Sequence, residues 1–135
     1  MKIYLDDIRV PQMSHNYRKG LGDNFAEDWV IVRNYDDFVD VVKKNFDEID
    51  LISFDHDLGI TTDIDEMSGK NAVDFIINYC IDNDKKFPNW YVHSDNVVGR
   101  ENMISSILNY LSKMEKMDIS SFRFYHKGLY NGKFI

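Results

Sequence analysis

Two acidic clusters sit where apolar runs end. Lys2-Ile3-Tyr4-Leu5 is followed at once by Asp6-Asp7, and Asp50-Leu51-Ile52-Ser53-Phe54 by Asp55-His56-Asp57. Carboxylates at the ends of two strands converge only if those strands lie side by side in one sheet. Brought together, they make an oxygen-rich pocket suited to a hard divalent cation, Mg²⁺ or Mn²⁺. Asp6, Asp7, Asp55 and Asp57 are therefore the candidate metal ligands, although Asp7 and Asp57 also fit the plainer role of loop or cap residues. Without a cation, like charges so close would raise one another's pKa.

Other groups follow the same pattern. His56 and His93 lie at two different strand ends, where each could give or take a proton, an effect typically worth ~10²–10⁴-fold in rate. A hydrogen-bonded structural role is the ordinary alternative for either one. His126 follows the last strand candidate, and His15 falls in an irregular stretch. Arg9, Arg100 and Lys127 are candidate phosphate clamps, because a guanidinium fork matches phosphate oxygens. Ser94 could donate its hydroxyl to the same anion. Asn96 could open the helix that carries Arg100 and leave free backbone N–H groups at its start. Simple salt bridges, Arg9 with Asp7 or Asp57 and Arg100 with Glu101 or Asp95, are the competing reading.

These groups need a frame. Residues 2–5, 29–32, 51–54, 90–92 and 122–125 read as strands. Phe38, Val41, Val42 and Phe46 recur at helical spacing after a candidate N-cap, Asn34. Ser68 could cap a nearly apolar helix over 70–82. A third helix over 97–114 lines Met103, Ile104, Ile107, Leu108 and Leu111 on one face, a core stripe. Ser68-Gly69-Lys70 is a helix start rather than a phosphate loop, since the glycine-rich run is absent. Strands alternating with helices give an α/β layer fold with a mainly parallel sheet and helices on both faces. Ligands in such folds sit beyond the carboxyl ends of the strands. Two stretches lack periodicity: 6–28, which could hide a short helix and whose residues 10–28 could form a lid, and the polar loop 56–68.

The bulk properties narrow the function classes. A chain of 135 residues fits one domain, 1–135. A hydrophobic fraction of 44% and an aromatic fraction of 14% point to a packed core, not a disordered segment. The net charge of −7 opposes an extended nucleic-acid surface but not a small phosphate ligand or a nucleic-acid terminus. The lone cysteine, Cys80, lies in an apolar run and reads as a buried hydrophobe. The start has no apolar signal core, and no run approaches the ~20 residues of a membrane helix, so the expected location is cytoplasmic.

The acid pair after the first strand, Asp55 after the third, Ser94 after the fourth and Lys127 after the fifth resemble the response-regulator receiver plan. That plan implies a three-layer flavodoxin-like fold with five mainly parallel strands in the order 2-1-3-4-5. Here an irregular segment replaces the first helix, and the last helix is missing. Three phrases resemble a narrower group: LDDIRVP at 5–11, ISFDHDLG at 52–59 and HSDNVVGRENM at 93–103. They are similar to the cyclic-phosphate-processing receiver domains. Ordinary receivers continue apolar after the phosphoacceptor, whereas this chain has His56-Asp57-Leu58-Gly59, and Gly128 rather than proline follows Lys127.

The resemblance implies a metal-dependent phosphoesterase acting on cyclic phosphates of nucleotides or RNA ends, a role in RNA processing. Opening such a ring by water needs a base for the water and an acid for the leaving alkoxide. Two histidines, or one histidine with a metal-activated water, meet that need. Asp55 could instead attack phosphorus directly. Two rivals come from other classes. One is a signalling domain phosphorylated on Asp55. The other is an inactive module that binds a nucleotide or a protein.

Overall fold

Sequence alternation decides which way each strand faces. In the computed structural model, which describes residues 1–13, 28–58 and 67–135, four short strands lie parallel. They are β1 (Lys2–Leu5), β2 (Trp29–Val32), β3 (Leu51–Phe54) and β4 (Asn89–Val92). The register aligns Ile3 with Ile52 and Leu5 with Phe54, then Ile52 with Trp90 and Phe54 with Val92. Those six side chains form one face and are fully buried. Tyr4, Ser53 and Tyr91 align on the other face, also buried.

Three helices cover the first face. α1 (Tyr35–Asn45), α2 (Gly69–Asn83) and α3 (Val97–Met114) bring Phe38, Val42, Val73, Ile76, Met103 and Ile107 against it. Burying each such side chain is worth roughly 1.5–3 kcal/mol. Each helix has the expected cap. Asn34 accepts from the N–H of Asp37, and Asn96 from that of Gly99. Ser68 and Asn71 form a reciprocal capping box. Among the described residues no helix packs on the Tyr4–Ser53–Tyr91 face. The expected lid over 10–28 and loop 56–68 lie mostly outside the described residues; Pro11–Met13 forms one 3-10 turn.

The strand order is β2-β1-β3-β4 followed by β5 (Gly128–Tyr130) and β6 (Lys133–Phe134), the expected order with a sixth strand added. The fifth strand is not where the sequence placed it. Phe122-Arg123-Phe124-Tyr125 has the aromatic content of a strand but makes turns, with the Phe122 and His126 N–H groups bonded to the Ile119 and Arg123 carbonyls. The strand is β5 (Gly128–Tyr130), antiparallel to β4, and it turns back into β6 (Lys133–Phe134). Gly128 permits this, because a side chain there would overlap the Trp90 carbonyl across the strand pair. No helix among the described residues is long and apolar enough to cross a membrane.

Candidate metal and phosphate site

The row just past the last paired residues of the sheet holds the chemistry. Leu5, Phe54 and Val92 stand in register, so Asp6, Asp55 and His93 follow side by side. The ladder continues through their backbones: Asp6 N–H donates to Val32, Asp55 N–H to Leu5 and His93 N–H to Phe54. All three side chains are buried, and each offers a ligand atom within 4.8 Å of the others'.

Each oxygen of Asp6 has its own work. Oδ1 accepts the backbone N–H groups of Ile8 (2.9 Å) and Arg9 (2.8 Å), which folds the chain into a tight turn. Oδ2 faces His93 Nε2 at 2.9 Å and Arg9 Nε at 2.9 Å. Burial works against the ionised carboxyl, but the bonds from His93, Arg9 and Ile8 outweigh it and hold Asp6 well below the usual carboxylate range. An ionised carboxylate only accepts, so His93 Nε2 carries the proton, and Nδ1 accepts from the Ser53 hydroxyl at 2.7 Å. Burial pushes the His93 pKa down, so the ring is neutral. It also stacks on Tyr4, with ring centroids 4.3 Å apart.

Asp55 behaves in the opposite way. Burial and the neighbouring Asp6 charge push it up to about 6, against Arg9, the His56 N–H and the Ser94 hydroxyl. Arg9 is the bridge across the site. Its Nη2 lies 3.2 Å from Asp55 Oδ1 and its Nη1 3.0 Å from the exposed Asp95. Burial opposes the Arg9 charge, but the three carboxylates raise its pKa further. Arg33, which the sequence reading did not single out, donates to the carbonyls of Asp6 and Arg9 at 3.3 and 2.7 Å and fixes the turn from outside. Ser53 also escaped notice, because a serine inside an apolar strand gives no signal of its histidine partner.

The other candidates distribute around this row. Asp57 lies on its outer side and accepts from His56 Nδ1 at 2.8 Å, with Asn96 Nδ2 at 3.4 Å. Those bonds, that of His56 foremost, lower its pKa. The His56 ring rests on α3 at Gly99, where any side chain would overlap it. The Asp6–Asp55–His93 group includes neither Asp7 nor Asp57. Arg9, Ser94, Arg100 and Lys127 share the lining of one cavity of about 230 Å³ with Tyr91 and His93. Arg100 is anchored to the Ser94 carbonyl at 2.8 Å. Lys127 reaches this edge although its strand was misplaced, since an antiparallel strand begins where its parallel neighbour ends. His126 packs among Phe122, Tyr125 and Phe134 instead. His15 lies outside the described residues.

The donor set suits Mg²⁺ or Mn²⁺. Two carboxylates lie close together with the His93 ring holding one of them, and burial first, then the Asp6 charge, raises the Asp55 pKa. No curated protein and no solved structure matches the chain. The cyclic-phosphate processing receiver domain matches residues 1–109, a span that contains the Asp6–Asp55–His93 group and all the basic cavity residues except Lys127, and the chain belongs to that family.

Proposed function

We propose that the protein is a metal-dependent phosphoesterase that opens cyclic phosphates on nucleotides or RNA ends. The observation that carries this reading is the adjacency of two environments. The Asp6–Asp55–His93 group lies beside a cavity lined by Arg9, Arg100 and Lys127. A divalent cation held by Asp6 and Asp55, with His93 beside them, would polarise a phosphoryl oxygen. The three basic side chains neutralise the phosphate, and the Ser94 hydroxyl donates to it. The cavity, about 230 Å³, has room for a phosphate group.

Proton transfer falls to His56 in this scheme. The His93 side chain is wholly buried, and both its ring nitrogens are engaged. His56 gives Nδ1 to Asp57, and among the described residues Nε2 has no partner. Its ring is partly exposed. Asp57 then orients a histidine, in place of the ligand role the sequence suggested.

The test follows phosphorus NMR of a 2′,3′-cyclic ribonucleotide with the protein and Mg²⁺ or Mn²⁺. Ring opening that EDTA abolishes and that Asp55→Asn eliminates supports the proposal. An unchanged spectrum, together with a stable Asp55-dependent mass increase after treatment with a small phosphodonor, would instead assign a phosphoacceptor domain.

A further inference from the structure

Arg9 occupies the place that a metal would take. Its Nε and Nη2 contact Asp6 Oδ2 and Asp55 Oδ1, so one guanidinium spans both acids of the candidate ligand group. A cation reaching both oxygens must displace the guanidinium. The surroundings make that displacement local. The turn that carries Arg9 is held by Asp6 Oδ1 and by Arg33, neither of which uses the Arg9 side chain. When the guanidinium leaves, Asp6 Oδ2 keeps His93 as its donor and Asp55 Oδ1 keeps the His56 N–H. The third contact, Asp95, is on the exposed rim, and Arg9 already lines the cavity shared with Arg100 and Lys127. A short rotation therefore carries the fork from the carboxylates toward a bound anion.

We propose that Arg9 is a resident counter-cation, holding Asp6 and Asp55 together until a divalent metal replaces it and then turning to the phosphate. This inference rests on the metal reading above. One charged group thus has two successive partners: the empty acid pair first, the substrate second. Phosphate binding is coupled to metal loading, because the fork is free for the anion only when the metal holds the acids. By reciprocity, phosphate that engages Arg9 strengthens metal binding.

Calorimetry on the full chain separates the possibilities. Arg9→Gln should bind Mn²⁺ about tenfold more tightly than wild type, equivalent to about 1.4 kcal/mol. It should bind inorganic phosphate more weakly in the presence of Mn²⁺. Arg9→Lys keeps the competing charge, so its Mn²⁺ affinity should stay close to that of wild type. A purely structural Arg9 would instead weaken both ligands in Arg9→Gln, and that result overturns the inference. Wild-type protein gives a second readout that needs no variant. The Arg9 Nε–H signal in ¹⁵N spectra should exchange slowly in EDTA and lose that protection as Mg²⁺ shifts the Asp6 and Asp55 amides. Metal binding to wild type with the Arg9 signal unmoved sinks the counter-cation role alone. Absence of Mn²⁺ binding to both wild type and Arg9→Gln sinks the metal reading and this inference together.

Discussion

His93 Nε2 lies 2.9 Å from Asp6 Oδ2, and neither side chain has any solvent exposure. A buried carboxylate that loses a donor keeps the full cost of its desolvation. His93→Ala should therefore destabilise the protein by about 3 kcal/mol in denaturant unfolding, as expected when one partner of a buried pair is removed. In the folded protein, diethyl pyrocarbonate should modify His56 and spare His93. Prompt modification of His93 would contradict the buried, doubly bonded ring.

Asp55 gives a pH signature in metal-free protein. Its folded value is about 6, against an ordinary value of 3.8. A raised carboxyl contributes stability that is present below about pH 4 and lost as pH rises through about 6. Asp55→Asn does not titrate. In EDTA its stability relative to wild type should therefore climb between about pH 4 and pH 7, with a ceiling near ~3 kcal/mol. Taking the difference between the two proteins largely removes the opposing titration of His93. A pH-independent difference would show that burial and the Asp6 charge do not raise the Asp55 pKa.

Two glycines separate a backbone clash from a side-chain clash. At Gly69 a methyl group would overlap the Asp55 carbonyl oxygen, and backbone cannot yield without moving α2 off the site. At Gly99 the nearest atoms it would meet belong to the His56 side-chain ring rather than to backbone. Gly69→Ala should lose about 3 kcal/mol or more, and Gly99→Ala about 1–2 kcal/mol. Gly99→Ala should still lose turnover in the cyclic-phosphate assay, since it dislodges His56 from Asp57. Thermal unfolding beside the assay checks both, and equal destabilisation would refute the distinction.

Cys80 is buried, and burial followed by the nearby Glu115 charge pushes its thiol up to about 12. The thiolate is the reactive form. Iodoacetamide near pH 8 should leave folded protein unlabelled and label it fully in denaturant, a difference that mass spectrometry reads directly.

Much of this arrangement was legible because local signals agreed with the fold. Asn34, Ser68 and Asn96 cap where they were expected to, and the apolar runs ending in Asp6, Asp55 and His93 are neighbouring strands in register. The failures have physical causes. Phe122–Tyr125 has strand composition, but Gly128-Leu129-Tyr130 forms the strand, because only a side chain as small as hydrogen can approach the Trp90 carbonyl. Tertiary fit overrode propensity there. Asp57, a candidate ligand by its nearness in sequence to Asp55, accepts from His56 Nδ1 and Asn96 Nδ2 and lies outside the Asp6–Asp55–His93 group. Ser53 acts through His93, 40 residues away, and Arg33 through the Asp6 and Arg9 carbonyls, 27 and 24 residues away, so no local pattern marks them.

The antiparallel entry of β5 divides the site in time as well as in space. Every carboxylate and histidine of the cluster is supplied by residues 6–93, on strands whose pairing is complete once β4 is added. Lys127 arrives only when the closing hairpin docks beside β4. The pairing that aligns the acid row can therefore be complete before the hairpin brings in its last basic neighbour. The hairpin can change the basic edge of the cavity without altering the acid row.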